Sequence, residues 1–194
     1  MSTNDGRAAR RIRLGMVGGG DGSFIGAAHR IAARLDDQFE LVAGALSSTA
    51  ERAHASAARL HIAPERSYAD YTAMAQAEAR REDGIDAVAI VTPNDTHYRY
   101  AAAALDAGLD VVGDKPVSQT YAEALDLVER MRRARRIFAV AHAYSAYPMT
   151  RHARQLVRDG ALGPVRLVQV EYIQSGLATR AVRSPDTKLA RCCA

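Results

Sequence analysis

The stretch GMVGGGDGSFIGAAHR, Gly15–Arg30, holds six glycines in its first twelve positions. The apolar run IRLGMV (Ile12–Val17) before it reads as a short buried strand. The segment from Gly26 to Leu35, with Ile31 and Leu35 four apart on one face, reads as a helix. Strand, glycine-rich turn and helix in that order are the setting of a dinucleotide fingerprint. The strict G-x-G-x-x-G spacing fails, because counting from Gly18 and Gly20 the third position is Ser23. The spacing that fits is Gly18-x-Gly20, then five residues, then Gly26. Early glycines allow a tight turn and close backbone approach to a pyrophosphate. Gly26 allows the helix to pack closely on the strand, its N-terminal amides facing the anion. The glycine-rich loop of a methyltransferase has a similar outline, so that reading stays open on this stretch alone.

Strands and helices alternate downstream. FELVAGAL (Phe39–Leu46) predicts a second strand and Ala50 to Leu60 a helix. A further helix is expected over Tyr71 to Arg81, and IDAVAIV (Ile85–Val91) reads as a strand covered on both faces. Then come an alanine-rich helix to Ala107, the strand LDVVG, a helix over Tyr121 to Arg133 and the strand IFAVAHAY. The alternation predicts an α/β fold, a Rossmann-type doubly wound parallel sheet. After Pro148 the pattern changes to a helix ending near Arg158, the turn DGALGP and VRLVQVEY (Val165–Tyr172). Alternation in that last run predicts a half-solvated strand, the start of an incomplete second α/β domain. The expected organisation is a flexible N-terminus over 1–10 and a dinucleotide-binding domain over 11–147. The start of a C-terminal domain follows over 148–175, then an atypical tail over 176–194.

Composition narrows the functional classes. The 194 residues are 48% apolar, enough for a substantial core. No apolar run spans a bilayer, and the basic N-terminus lacks the apolar segment of a secretory signal. The two cysteines, Cys192 and Cys193, give neither a disulfide framework nor metal-ligand spacing, so a cytoplasmic location and no metal are expected. Much of the net charge of +4 falls after Gly176, where Arg180, Arg183, Lys188 and Arg191 outnumber Asp186. The cluster of Arg130 with RRARR (Arg132–Arg136) ends a helical pattern without interleaved aromatics. It reads as a solvated helix end rather than a nucleic-acid surface.

A site for NAD places an acid at the end of the second strand, on the ribose 2′-hydroxyl. Here that strand ends in Leu46-Ser47-Ser48, with Arg52 a helical turn on. Hydroxyls and a guanidinium suit a 2′-phosphate, so the cofactor is expected to be NAD or NADP with a lean toward NADP. Ser47 is equally readable as a helix N-cap.

Three more stretches, VTPNDTH (Val91–His97), GDKP (Gly113–Pro116) and GALGPV (Gly160–Val165), join the glycine loop ending Gly26-Ala-Ala-His29. In that order and spacing, from about Arg11 to Tyr172, the chain resembles the glucose–fructose oxidoreductase / inositol 2-dehydrogenase (Gfo/Idh/MocA) family. The resemblance implies an NAD(P)-dependent oxidoreductase moving a hydride between nicotinamide and a hydroxyl or carbonyl of a sugar, cyclitol or related compound. It implies that Thr92, Pro93, Asn94 and His97 lie along the cofactor near its nicotinamide half. It also implies that Lys115, with Asp114 in place of the family's usual glutamate, meets the reacting substrate hydroxyl. Position supports Lys115 independently, since it follows the carboxyl end of a parallel strand. His142 and Tyr144 border the substrate by the same resemblance, or else Tyr144 and Tyr147 pack beneath a second domain. His29 is expected near the start of the helix after the loop, and His54 and His61 at the surface. VTPNDTH and GDKP have no place in a methyltransferase.

Members of that family carry a C-terminal domain with a D-x-x-x-H pattern, and none follows Tyr172 here. The sequence therefore reads as truncated, with a frameshift after about Gly176 as one origin. Two functional readings follow: the oxidoreductase itself, or a non-catalytic nucleotide-binding fragment of one. A sugar-like substrate is the expected partner. Self-association through the incomplete second domain is a further expectation, and no membrane or nucleic-acid partner is expected.

Overall fold

The computed structural model describes residues 10–173. Most of the expected flexible N-terminus, the tail over 176–194 and both cysteines lie outside the described residues. Strands β1 (Ile12–Gly18), β2 (Phe39–Ala45), β3 (Ala87–Val91), β4 (Asp110–Gly113) and β5 (Phe138–Val140) form a parallel sheet ordered β2-β1-β3-β4-β5. Helices α1 (Phe24–Leu35), α2 (Ala50–Arg59), α3 (Tyr71–Glu78), α4 (His97–Asp106) and α5 (Tyr121–Ala134) connect them. The doubly wound Rossmann-type sheet is as the alternation predicts.

Burial explains the strands. All five residues of β3 are buried, and they divide by alternation between two apolar clusters. Val88 and Ile90 join Val17, Met74, Leu105, Val111 and Leu127, whereas Ala87, Ala89 and Val91 join Leu14, Met16 and Leu46. A strand that feeds a core on each face must be apolar throughout, which is how β3 reads. Helix ends are set by local chemistry. Thr120 and Glu123 form a reciprocal capping box at the start of α5. Arg132 and Arg133 occupy its last turn and Arg135 takes the left-handed cap, in line with the helix-end reading of the basic cluster.

Besides the start of α1, described with the site below, three elements differ from expectation. Helix α3 stops at Glu78 rather than Arg81, because the chain turns through Gly84 into the sheet, with Arg81 N–H on the Glu78 carbonyl at 3.2 Å. The run IFAVAHAY is a strand only over Phe138–Val140. Its neighbour β4 ends at Gly113, which pairs with Val140, so the ladder is exhausted after one more bond from Ala141 N–H to the Gly113 carbonyl at 2.9 Å. The expected strand Val165–Tyr172 is not formed. Residues 164–173 carry no regular structure and are exposed, with no ladder partner among the described residues. Alternation marks a chain able to pair, and a strand exists only against a partner.

The chain divides into two compact units between Ala141 and His142, ahead of the boundary expected after Tyr147. The second unit holds the four-residue helix α6 (Ala143–Ala146) and α7 (Pro148–Arg158). Among the described residues no helix is long and apolar enough to cross a membrane.

Candidate functional site

The glycine loop leaves β1 with Gly18 at φ +71°, where a Cβ would stand 2.6 Å from the Val91 carbonyl oxygen and 2.7 Å from Thr92 Cγ2. Only glycine fits there, on conformation and on space. Helix α1 begins at Phe24, two residues before the expected start, because Ser23 is its N-cap and accepts from Gly26 N–H at 3.1 Å. Ser23, the residue that breaks the strict spacing, thus has its own role. Gly26 sits inside the first turn, against the backbone of Gly19, with no room for a Cβ. The close packing expected of Gly26 is met at Gly19, just past the end of β1. Gly20 N–H is spent on the Leu46 carbonyl at 3.2 Å and Asp21 N–H on Ser56 Oγ at 3.1 Å. The amides of Gly22, Phe24 and Ile25 keep no partner among the described residues. They lie at the positive end of a twelve-residue helix, an arrangement that fits a phosphate.

The loop is held from behind. The Arg30 guanidinium donates to the Gly19 carbonyl, and burial holds its pKa below the ordinary value. Arg59 on α2 pairs with Asp21.

The order of the sheet reverses direction between β1 and β3, whose ends pair as Gly18 with Val91. Open α/β sheets bind ligands at that point, outside the carboxyl ends of the strands. Thr92, Pro93 and Asn94 follow β3 there, with Asn94–Thr96 a single 3₁₀ turn. Thr96 Oγ1 lies 2.6 Å from both Thr92 Oγ1 and the Pro93 carbonyl. Asp114 and Lys115 follow β4, adjacent to β3, and Asp114 N–H bonds the Ile90 carbonyl at 3.2 Å. Asp114 also accepts Lys115 N–H at 2.8 Å. The Lys115 side chain is exposed, and its amine has no partner among the described residues. The Lys115–Pro116 peptide is cis.

His97 opens α4 and is buried, 3% exposed, with Nδ1 2.6 Å from the Pro116 carbonyl and Nε2 2.9 Å from the Thr92 carbonyl. Both ring nitrogens are engaged, so any effect of His97 on a ligand passes through the segments it holds. Beyond β2, Ser47 Oγ accepts Thr49 N–H at 3.4 Å, and Thr49, not Ser47, is the N-cap residue of α2. Ser48 and Arg52 are exposed, and neither side chain has a partner among the described residues.

A family model described as an oxidoreductase family with an NAD-binding Rossmann fold matches residues 12–142. The chain belongs to the Gfo/Idh/MocA oxidoreductases. An uncharacterised oxidoreductase of Bacillus subtilis, YfiI, is 37% identical over 172 residues, 88% of this chain and 44% of that protein. The crystal structure of an oxidoreductase from Sinorhizobium meliloti superposes with a TM-score of 0.77 at 52% identity, over 81% of this chain and 44% of that one. An inositol dehydrogenase homologue from Azotobacter vinelandii, complexed with NAD+, gives 0.80 at 43% identity, over 82% and 41%. The chain spans less than half the length of these relatives.

In this Gfo/Idh/MocA chain, the residues following β1, β3 and β4 meet on one edge, whereas His142 and Tyr144 fall in the second unit. There Tyr144 packs edge-on against Tyr147 and Tyr172, at 5.4 and 6.1 Å between ring centroids. Its hydroxyl lies 3.0 Å from that of Tyr172, a contact that raises its pKa. Sequence reasoning missed Arg30, Ser56 and Arg59, which support the loop from helical positions that no local motif marks. His29 is a mid-helix residue of α1 rather than one at its start. It lines a largely apolar hollow of about 170 Å³ with Leu14, Phe39, Ala89 and Val112. His54 and His61 are exposed, as expected, and His54 Nδ1 lies 2.8 Å from Ser67 Oγ.

Proposed function

We propose that residues 11–147 form the cofactor-holding half of an NAD(P)-dependent oxidoreductase acting on a hydroxyl or carbonyl of a sugar, cyclitol or related compound. The observation that carries this reading is the shared edge. An amide cradle after β1, the Thr92–Asn94 segment after β3 and, after the neighbouring β4, a lysine without a partner among the described residues stand side by side at one edge of the sheet. Bound nicotinamide would accept or supply the hydride. The chain's own residues hold the cofactor and handle the proton. Gly18 and Gly20 let the backbone approach the pyrophosphate, and Gly26 keeps α1 close enough for its free amides to meet it. Thr92, Pro93, Asn94 and the segment held by His97 border the nicotinamide half. Lys115 meets the reacting hydroxyl and polarises or deprotonates it. Ser47, Ser48 and Arg52 receive the adenosine ribose, and the absence of a carboxylate at Leu46–Ser48 favours a 2′-phosphate and hence NADP. His142 and Tyr144 border the substrate.

Titration with NADH and NADPH, followed by nicotinamide fluorescence, tests this directly. Saturable binding that Gly26→Ala abolishes supports the cradle, and a folded chain binding neither cofactor overturns it. Turnover in a sugar and polyol screen, lost in Lys115→Ala, supports the enzyme. Binding without turnover favours a nucleotide-binding module instead. Exposed Val165, Leu167, Val168 and Val170 make self-association the expected behaviour of the second unit, checked by sedimentation at increasing concentration.

A further inference from the structure

We propose that His97 is a positioning residue, a clamp between two backbone segments that sets where Lys115 stands relative to the end of β3. The proposal rests on the reading of Lys115 given above only for its consequence in catalysis, not for its geometry. Thr92 and Pro116 belong to connections that leave different strands, β3 and β4. Their carbonyl oxygens converge on one buried ring, at 2.9 and 2.6 Å. A carbonyl only accepts, so a hydrogen bond to either of them must be donated by a ring N–H. A neutral ring has one N–H and serves one carbonyl fully, while a ring protonated at both nitrogens serves both. No other side-chain hydrogen bond among the described residues joins these two connections directly.

The clamp sits next to both reactive neighbourhoods. Thr92 Cγ2 is one of the atoms that hold Gly18 to glycine, so the Thr92 side chain helps shape the glycine loop. Pro116 directly follows Lys115, whose exposed side chain has no partner among the described residues to fix it. Removing the ring leaves the backbone as the sole determinant of where the ammonium stands. The burial of His97 also means that the clamp needs no ligand to form.

The chain contains only two lysines, Lys115 and Lys188, which makes the test direct. Reductive methylation with ¹³C-formaldehyde labels those two side chains and the amino terminus, and Lys188→Arg assigns the signals. In folded His97→Phe, which keeps a ring but no donor, the Lys115 methyl signal is expected to shift or broaden while that of Lys188 stays put. His97→Gln restores one donor and is expected to return the Lys115 signal part of the way. Affinity for NADH is expected to fall about tenfold in His97→Phe, the scale of losing the partner of a buried carbonyl. The wild-type chain supplies a measurement that no folding defect can blur. ¹⁵N-histidine labelling should show a ring N–H of His97, assigned by its contacts to Thr92 and Pro116, that exchanges slowly with solvent. An unmoved Lys115 signal in a folded His97→Phe chain, or a freely exchanging ring N–H, overturns the proposal. A Lys115 signal that follows His97 in a chain binding neither NADH nor NADPH supports the clamp and sinks the cofactor reading instead.

Discussion

Gly26 shows how much a single missing atom decides. Alanine there would drive a Cβ into the backbone of Gly19, so Gly26→Ala must either push α1 off the loop or deform the loop itself. NADH affinity is expected to drop at least tenfold, read by fluorescence titration, with the sheet intact by circular dichroism. Arg52 belongs to the same scale. If its guanidinium meets a 2′-phosphate, Arg52→Ala weakens NADPH by about tenfold and leaves NADH unchanged, since a charge-assisted hydrogen bond contributes about 1.5–3 kcal/mol. His29 carries a pH dependence. Burial holds its pKa below the ordinary 6.5, with Asp114 opposing the shift. The folded chain then binds the proton less readily than the unfolded chain, so stability is full above about pH 6.5 and declines as pH falls below it. Urea midpoints at pH 7.5 and 5.5 should differ, and His29→Phe should narrow the difference.

Elements are decided partly by caps and partly by partners. Ser23 caps α1 with its hydroxyl, and Ser23→Ala should cost about 1 kcal/mol in chemical denaturation. Helix α3 is anchored by Glu78, whose side chain is fully buried and accepts Arg66 Nε–H at 3.1 Å and the Tyr68 hydroxyl at 2.9 Å. Burial, followed by the bond to Glu78, pushes the Tyr68 phenol up to about 12. Replacing Arg66 by Met would strand a buried carboxylate, and a loss of about 3–5 kcal/mol is expected from urea unfolding. The strand β3 was legible because a run buried on both faces has no polar interruption. The run Val165–Tyr172 alternates convincingly and forms no strand, because alternation describes a face and not the partner that must lie beside it. Residues such as Arg66 and Glu78, twelve apart, show no sequence periodicity that pairs them, which is why that network was not anticipated.

At the scale of the molecule, both apolar clusters are built from residues between Leu14 and Phe138. Every strand of the sheet also ends before Ala141. A chain ending at Ala141 is therefore expected to unfold cooperatively and to bind NADH as tightly as the longer chain, measured by thermal melting and fluorescence titration. A large loss of affinity would show that residues of the second unit contribute to the cofactor site.

The sequence by itself determined the alternation, the parallel sheet, the glycine loop and the family, because apolar runs and glycine positions are constrained by steric and solvation rules acting over a few residues. It also marked Thr92, His97 and Lys115 as belonging together without saying how. Only the tertiary structure decided that Ser23 caps α1, that Gly26 packs against the backbone of Gly19 in particular, and that His97 faces two carbonyls. Each of those outcomes depends on segments distant in the chain and adjacent in space. The order of strands brings the ends of β1, β3 and β4 to one edge, so that three motifs separate in sequence lie side by side in space.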